Sequence, residues 1–424
     1  MKKEQKRPLA SYCVKCFMLQ LFRYYELAGA VVMQSKKGIS QVEVFFVDPM
    51  SYHNLAGYDF ELLSNIDENI KVSFYANEKL NLSIPNANIK KIYHYSQKKG
   101  LFKTVSYLKS QMILLRDIRK TKPDIVHFQW LKLPLIDYWF LAYIKKYSRI
   151  IYTSHDALTH HDERKYKASF IKILKIVDQV IVHTPTSKLD LAAFIDRDKI
   201  ETIKHGLLNL EKYFKTKISS QQLKKELNIG NEMVFSALGT MDYYKGTDLL
   251  IEAWQSSAIL RESKKVKLII AGKNKMGLQR EAIRAENVIF IDRFIPDEEF
   301  TALIKLSDLI LLPYRRISQS GLLLSAIAEE KKVLVSTAGE LLQPFEYGNI
   351  GWILHQNDLG GLRTLLERIA ACPEDVTKPV DQIIWVQIKA DYDWAEIGAQ
   401  TSRLYLRIAL DRVDNTKGFK CSDE

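Results

Sequence analysis

Short apolar runs alternate with amphipathic, helical patterns over most of the chain, beginning near residue 42. The runs are rich in Val, Ile and Leu, which is typical of strands that are buried on both faces of a parallel sheet. Strands are predicted at 42–47, 71–75, 124–128, 150–153 and 179–182, and again at 233–238, 267–271, 287–291, 309–312 and 332–335. Helices are predicted at 101–119, 135–146, 166–177, 247–256, 297–305, 321–331 and 360–371.

This alternation predicts an α/β fold with two doubly wound, Rossmann-like domains, because strands that alternate with helices form parallel sheets covered on both sides. We expect an extension at 1–40, a first domain at 41–212 and a second domain at 222–385. A helical segment at 386–424 is expected to pack back towards the first domain. Ligands bind at the carboxyl ends of the strands in such sheets, so the two domains should face each other across a cleft.

The stretch at 307–339 combines an apolar strand, a polar loop, a helix and the next strand. Ser320 and Gly321 stand where the loop enters the predicted helix. Serine is a good helix cap and glycine permits close approach of the backbone. The free N–H groups and the positive dipole end of a helix start favour a phosphate. An ordinary strand-to-helix turn fits the same residues equally well.

Residues suited to ligand binding also follow other predicted strands. His155 follows the strand at 150–153, and Gly239 and Lys245 follow the strand at 233–238. Gly272 and Lys273 end the strand at 267–271 with the same order of glycine and lysine. A glycine lets the backbone approach a ligand, and a lysine is a point charge suited to a diphosphate. The sequence lacks both G-x-x-x-x-G-K-[ST] and G-x-S-x-G, which disfavours P-loop ATPases and serine hydrolases.

The net charge of +12 is concentrated in the first half of the chain. Residues 1–210 hold 33 Lys and Arg against 20 Asp and Glu, whereas residues 211–424 hold 29 against 30. The amphipathic stretch at 101–120 is basic, and such a helix is typical of a membrane-surface element. The lysines predicted to face the membrane are Lys98, Lys99, Lys103 and Lys109. A solvated face on a helix that packs on the core is the equal alternative.

Neither a metal centre nor a membrane-spanning segment is predicted. Cys13 and Cys16 form a lone C-x-x-C, and the histidines at 155, 160 and 161 fit no common zinc spacing. Four cysteines in 424 residues indicate a reducing compartment, so we expect a cytoplasmic protein. The apolar stretch at 12–33 contains Lys15, Arg23 and Glu26, which make it too charged to cross a bilayer.

A series of short motifs resembles the retaining glycosyltransferases of the large family 4 class, in the branch that builds bacterial cell-surface polysaccharides. The motifs, in chain order, are DIVHFQW (124–130), TSHDALTHH (153–161), KHG (204–206), ALGTMDYYKGTDLLIEAW (237–254), LIIAG (268–272), SDLILLPYR (307–315), QSG (319–321) and YDWAEIG (392–398). They extend from about residue 42 to 408. The resemblance implies the two-domain GT-B fold, with a nucleotide-sugar as donor substrate and no other cofactor.

The resemblance also implies roles for individual residues. Lys245 would face the donor phosphates, and His155 would face the donor sugar from the opposite domain as a positioning group. The residues implied to bind the donor are Gly239, Thr240, Gly272, Lys273, Arg293, Gln319, Ser320, Gly321 and Leu322. In this class of enzyme a lysine and the amides of a helix start stabilise the leaving diphosphate, so no metal is required.

Two departures from the family pattern bear on activity. Thr240 stands where the family usually has an arginine, which removes one cation from the phosphate site. Ile317 and Ser325 stand where the family has two glutamates eight residues apart, while Glu329 and Glu330 follow past the matching place. The expected function is a metal-independent, retaining hexosyl transfer to a lipid-linked or polysaccharide acceptor. A non-catalytic GT-B partner subunit of an active transferase is the alternative.

The expected partners are the nucleotide-sugar donor and the acceptor, with an anionic membrane surface as a further contact. A peripheral position on the inner face of the plasma membrane would combine this contact with a cytoplasmic location. The basic helix belongs to no recognised nucleic-acid-binding module, so no nucleic-acid partner is expected.

Overall fold

The computed structural model describes residues 41–95, 98, 100–155, 163–213 and 218–417. The predicted extension at 1–40 and the histidines at 160 and 161 lie outside these residues. The strands of the described residues are β1 Val42–Asp48, β2 Ile70–Asn77, β3 Ala87–Tyr93, β4 Ile125–Phe128, β5 Arg149–Ser154, β6 Gln179–Val182, β7 Ile200–Thr202, β8 Met233–Leu238, β9 Val266–Gly272, β10 Val288–Asp292, β11 Leu309–Leu312, β12 Lys332–Ser336 and β13 Gly351–Leu354.

Helices connect most of these strands. They are α1 Asn54–Ser64, α2 Gly100–Thr121, α3 Pro134–Ile144, α4 Glu163–Ile176, α5 Pro185–Ala192, α6 Leu210–Tyr213, α7 Ser220–Glu226, α8 Thr247–Ser256, α9 Ala258–Arg261, α10 Asp297–Leu306, α11 Gly321–Ala328, α12 Leu359–Ala371, α13 Glu374–Thr377, α14 Gln382–Asp391 and α15 Trp394–Lys417. Short 3₁₀ turns occur at Arg197–Lys199, Tyr243–Lys245, Arg280–Ala282 and Gln343–Glu346.

The strands form two sheets. The first has the order β3-β2-β1-β4-β5-β6-β7, and the second has the order β10-β9-β8-β11-β12-β13. The pairings within the second sheet are parallel, as are those from β1 through β4, β5 and β6 to β7. β4, β6 and β11 are buried at every position, as expected for apolar strands covered on both faces. The predicted fold of two Rossmann-like domains is confirmed.

The sequence pattern predicted the outer strand β10 and missed the other outer strands, β3, β7 and β13. β3 is exposed or partly buried except at Tyr93, β7 has three residues, and β13 is buried only at Leu354. A strand at the edge of a sheet needs no continuous apolar run, so its sequence resembles a loop. The helix predicted at 321–331 also ends earlier, at Ala328, because Glu330 adopts a left-handed conformation with a φ of 52°.

The C-terminal helix α15 packs against the first sheet and against α1. The indole N–H of Trp394 donates to the carbonyl of Leu207 over 2.7 Å. Gly398 lies so close to α1 that an added Cβ would come within 2.2 Å of the Asn65 carbonyl oxygen. The core of the first domain is therefore completed by residues from the far end of the described chain.

Candidate active site

Four histidines lie along one edge of the first sheet. His127 is within β4, and His155, His183 and His205 follow the neighbouring strands β5, β6 and β7. Because these strands are parallel and adjacent, their carboxyl ends meet at the same edge and bring the imidazoles together. His127 and His183 are buried, and the other two are half-buried.

Hydrogen bonds join three of these rings into a row through Gln129. His155 Nδ1 lies 3.1 Å from His183 Nε2, and His183 Nδ1 lies 2.9 Å from the carbonyl oxygen of Ile203. His155 Nε2 lies 2.9 Å from Oε1 of Gln129, whose Nε2 is 3.1 Å from His127 Nε2. Both ring nitrogens of His155 are therefore occupied, and a hydrogen bond to a sugar requires His155 to exchange one of them.

The donors and acceptors of this row determine its protonation. The Ile203 carbonyl can only accept, so a neutral His183 donates from Nδ1 and accepts at Nε2 from His155. The remaining nitrogen of a neutral His155 is then an acceptor that faces the Gln129 oxygen, another acceptor. The mismatch is relieved either by one extra proton on the row or by a half-turn of the Gln129 amide.

Burial keeps these imidazoles neutral at pH 7. It lowers the pKa of His127 to about 3, that of His183 to about 4 and that of His205 to about 3. Burial and the neighbouring histidines hold the pKa of His155 well below its usual range. Since an extra proton is disfavoured, the half-turn of the Gln129 amide is the state expected at neutral pH.

Aromatic rings fix the position of His155 and its neighbours. Trp130 stacks on the His155 ring with a centroid distance of 4.7 Å and an interplanar angle of 8°. The Tyr58 ring lies 5.0 Å from His155, 5.6 Å from His183 and 4.9 Å from His205. Edge and stacking contacts of this kind hold the rings rigidly, which suits a positioning group.

A pair of carboxyl groups is buried next to Tyr58. Asp48 ends β1 and Asp59 lies on α1, and each side chain is about 1% exposed. Burial raises the pKa of Asp48 to about 6. Burial, followed by the charge of Asp48, raises the pKa of Asp59 well above its ordinary value. Two adjacent carboxyls in a dry environment cannot both ionise readily, so the pair retains a proton near neutral pH.

Two predicted glycines meet at the carboxyl edge of the second sheet. Gly239 follows β8 with a φ of 95°, and Gly272 ends β9 with a φ of 153°. A Cβ added to Gly272 would lie 1.9 Å from the Gly239 carbonyl oxygen. Only a residue without a side chain permits this approach, so the two loops form one backbone surface.

Lys245 brings its ammonium group to that surface. A Cβ added to Gly239 would lie 2.8 Å from Lys245 Nζ, which is also 5.5 Å from the centroid of the Tyr314 ring. Loss of water around the ammonium lowers the pKa of Lys245 from its ordinary value, while Tyr244 and Asp242 oppose the shift. Gly239, Thr240, Lys245 and Tyr314 line one small cavity. A desolvated cation beside free backbone is suited to a phosphate oxygen.

Helix α11 begins close to the end of the neighbouring strand β11, as predicted. Ser320 is its N-cap, and its Oγ accepts from the Leu323 N–H over 3.3 Å. A Cβ added to Gly321 would meet no atom within 4 Å, so the space in front of the helix start is open. Leu322 is buried and Gln319 is half-buried. The helix start therefore offers backbone amides to open space, as a phosphate site requires.

Two cations predicted at the donor are placed differently from Lys245. Lys273 is exposed at the end of β9. Arg293 forms a two-pronged ion pair with Glu299, with Nη1 and Nη2 at 2.8 and 2.6 Å from the carboxylate oxygens. This pairing raises the pKa of Arg293 and occupies one face of its guanidinium. Lys245 is thus the predicted cation that lies directly at Gly239.

The two acids that follow α11, Glu329 and Glu330, do not take the place of the family's two glutamates. Ile317 is half-buried and Ser325 is buried. Glu329 caps the opposite end of α11, and Glu330 pairs there with Lys389. The helix start therefore has no substitute from these two acids.

The remaining predicted residues lie on the outside of the first domain. Lys103 and Lys109 are exposed on α2, and Lys98 is exposed and donates to Ser106 Oγ over 3.3 Å. Lys99 lies outside the described residues. Among the residues that the structure covers, none of the helices is long and apolar enough to cross a membrane. The same part of the chain has no cluster of three or more side chains suited to a metal.

Sequence reasoning missed several residues of the site. Gln129 and His183 each follow a predicted strand directly, so the rule that selected His155 would also have found them. Arg315 was also missed. Its guanidinium donates two hydrogen bonds to the Asp248 carboxylate, of 2.6 and 2.9 Å, and a third to the Tyr243 carbonyl over 2.8 Å. Arg315 thereby fixes the loop that carries Lys245, a role that only the tertiary structure shows.

The two parallel, doubly wound sheets define the class of fold, which is that of the GT-B glycosyltransferases. Residues 70–207 match the family model named Glycosyltransferase Family 4, and residues 232–371 match the model named Glycosyl transferases group 1. The two matched stretches fall one in each domain. A search among curated proteins finds no match to this sequence.

Solved structures share the fold at low sequence identity. Sucrose-phosphate synthase from Thermosynechococcus elongatus is 15% identical with a TM-score of 0.64, and the match covers 87% of this chain and 99% of that one. HepE of Anabaena, in complex with UDP and glucose, is 15% identical with a TM-score of 0.63, over 86% and 99% of the two chains. A trehalose-6-phosphate protein from E. coli, bound with UDP-2-fluoro glucose, is 12% identical with a TM-score of 0.59, over 86% and 98%.

Proposed function

We propose that the protein transfers a sugar from a nucleotide-sugar donor to a lipid-linked or polysaccharide acceptor, with retention of configuration, in the synthesis of cell-surface polysaccharide. The observation that carries this proposal is the meeting of Gly239, Gly272 and Lys245 at one edge of the second sheet. Bare backbone and a desolvated ammonium at this place suit the diphosphate of the donor. The open helix start at Gly321 supplies further amides.

In the proposed reaction the bond between the anomeric carbon and the diphosphate breaks while the acceptor oxygen bonds to the same face of that carbon. The proton of the acceptor hydroxyl passes to the departing phosphate oxygen. Lys245 and the helix-start amides stabilise the charge that develops on the diphosphate, and no metal is needed. His155 positions the sugar after exchanging its Gln129 contact. We further propose that the chain works as a peripheral protein on the inner face of the plasma membrane.

A thermal-shift screen against UDP-, GDP-, ADP- and TDP-sugars tests donor binding, because a ligand that binds the folded state raises its melting temperature. UDP-sugars come first, since the HepE and E. coli proteins are solved with UDP or a UDP-sugar. Donor hydrolysis and transfer to a panel of acceptors then test turnover. Failure of every donor to shift the melting temperature would overturn the proposal.

A second candidate function is a non-catalytic partner of an active transferase. The absence of acids at Ile317 and Ser325, together with Thr240 in place of a cation, favours it. Binding of a nucleotide-sugar without turnover over a broad set of donors and acceptors would support this candidate. Turnover by the purified chain alone would exclude it.

A further inference from the structure

Helix α2 turns polar side chains inwards and apolar side chains outwards in its first three turns. Ser106, Ser110 and Gln111 are buried, and their side chains donate to the His94 carbonyl, the Ile92 carbonyl and the Tyr107 hydroxyl. Leu101, Phe102, Val105 and Met112 are exposed, and Phe102 has 79% of its surface accessible. This is the reverse of the pattern that places apolar residues on the core side of a surface helix.

Helix α3 continues the apolar surface. Leu135 and Trp139 are exposed one turn apart, and Trp139 has 72% of its surface accessible. The two helices pack together, and the Tyr107 hydroxyl donates to Asp137 Oδ1 over 2.9 Å between them. These exposed apolar side chains form one surface, which we call the outer face of α2 and α3. Its members are Leu101, Phe102, Val105, Met112, Leu135 and Trp139.

The charges of these helices are sorted in the same way. Each helix has a single acid, and both acids point inwards. Asp117 accepts from Lys90 over 2.9 Å and from Tyr75 over 3.0 Å, and Asp137 accepts from Tyr107 and from the Leu133 N–H. The bases of α2 are all exposed, namely Lys103, Lys109, Arg116, Arg119 and Lys120. The outer face is therefore apolar, bordered by positive charge and free of competing acids.

We propose that the outer face of α2 and α3 docks on a bilayer with anionic headgroups, the apolar side chains entering the interface and the surrounding bases meeting the lipid phosphates. Exposed Phe, Leu and Trp on a basic helical surface are the groups that lie in membrane interfaces. A second copy of the chain docked symmetrically would set the same five bases against each other. A nucleic acid would satisfy the bases and leave the apolar side chains in water.

Docking through this face rests on the proposed function in one respect, since it brings the first domain to a lipid-linked acceptor. The sequence predicted a basic amphipathic helix at 101–120 and named four lysines for this contact. The structure shows which apolar side chains are exposed beside them, and it places part of this apolar component on α3, which carries no base of its own. The two components differ in their response to salt, because screening weakens the charges and leaves burial of apolar area largely unaffected.

The test is co-sedimentation of the full chain with vesicles of phosphatidylcholine alone and of phosphatidylcholine with phosphatidylglycerol. The wild type should bind the anionic vesicles about tenfold more strongly than the neutral ones. The variant F102Q/W139Q should lose about tenfold in binding at both low and high salt. The variant K103E/K109E should lose a similar factor at low salt and much less at high salt.

Matched controls come from helix α14 and from the second domain. Ile383 and Val386 are as exposed as the outer-face residues, and Lys264 and Lys265 are exposed as well. The variants I383Q/V386Q and K264E/K265E should bind the vesicles like the wild type. Equal losses in these controls, or equal binding of neutral and anionic vesicles by the wild type, would overturn the docking surface. If F102Q/W139Q abolished self-association of the chain in sedimentation but kept vesicle binding, the partner of the outer face would be a second copy of the chain and not a bilayer.

The donor thermal shift, measured on the same variants, separates the two proposals. F102Q/W139Q and K103E/K109E should keep the wild-type donor shift, because these side chains are exposed on the first domain and the proposed phosphate site lies on the second sheet. A chain that responds to a donor and ignores lipid overturns only the docking surface. A chain that binds anionic vesicles and no donor overturns only the proposed transfer reaction.

Discussion

His155 and His183 share a hydrogen bond of 3.1 Å between Nδ1 and Nε2, so the orientation of the first ring depends on the second. His183 is anchored in turn by the Ile203 carbonyl. His155 is thus set by a buried neighbour that lies outside the eight motifs that signalled the family. The tautomer of His155 follows from the same contact, because a neutral His183 can only accept from it.

Replacing His183 with alanine should therefore impair catalysis without removing any group that touches the substrate. It leaves His155 Nδ1 without its acceptor, which should lower the free energy of unfolding by about 1–3 kcal/mol. The turnover number should fall by about tenfold or more, with little change in donor affinity. Urea unfolding and steady-state kinetics measure the two effects. His355→Ala, at an exposed position, is the control and should change neither. A wild-type turnover number in H183A would contradict the positioning role.

Lys245 should account for much of the donor affinity. Removing the ammonium with Lys245→Ala takes away a charge-assisted contact to the diphosphate, and the dissociation constant should rise by roughly 10- to 100-fold. Isothermal titration with the donor found in the screen measures it. Lys264→Ala, which removes an exposed lysine of the same domain, should bind the donor like the wild type. If the two lysine variants behave alike, the diphosphate does not lie at Lys245.

Gly321 provides a test of the helix start that leaves the empty protein intact. A Cβ at this residue meets no atom within 4 Å, so Gly321→Val should have a melting temperature within about two degrees of the wild type. The added side chain should nevertheless obstruct a phosphate at the helix start and weaken donor binding by tenfold or more. Gly360→Val, at the start of another helix, is the control. Unchanged donor affinity in G321V would place the diphosphate elsewhere.

The carboxyl pair predicts a specific dependence of stability on pH. The raised pKa values of Asp48 and Asp59 mean that the folded state holds its protons more tightly than the unfolded state does. The resulting stabilisation is complete below pH 3.8, the ordinary value, and is lost as the pH rises through about 6. Asp59→Asn cannot ionise, so it should be more stable than the wild type at pH 8, by about 1–3 kcal/mol, and the gap should narrow towards pH 5.

Urea unfolding at pH 5, 6.5 and 8 measures this gap. The buried histidines have lowered pKa values and act in the opposite direction, since their folded state gains protons only below about pH 4. They are present in both proteins and cancel in the difference. Asp196→Asn, which removes an exposed carboxylate, is the control against which the D59N difference is compared at each pH. If the difference in unfolding free energy between D59N and the wild type did not vary with pH, Asp48 and Asp59 would not share a proton.

The sequence predicted those parts of the fold that depend on local pattern. Central strands such as β4 and β11 are buried throughout, so a continuous apolar run identifies them. The edge strands β3 and β13 have mixed exposure and were missed for that reason. Loops that leave predicted strands drew attention to His155, Gly239 and Lys245. Their partners belong to other loops, and the sequence has no local signal for which loops meet.

Arg315 and Gln129 illustrate this limit. Arg315 joins Asp248 across 67 positions, and Gln129 joins His155 across 26. Each contact exists because parallel strands bring distant loops to one edge of a sheet. The sequence of neither loop indicates the order of the strands. The ion pair of Arg293 with Glu299 spans only six positions, yet a helix must first form at 297–306 before the two groups face each other.

The position of helix α15 has a consequence for how the protein is made. Tyr405 bonds to His127, a residue 278 positions earlier, at 2.6 Å. The first sheet emerges from the ribosome long before this partner is synthesised. His127 and the hydrogen-bonded histidines beside it therefore lack the Tyr405 contact until the second domain has been synthesised. A nascent chain halted after residue 390 should hold a folded second sheet and a first site that is still open to water, so the half that is translated first becomes functional last.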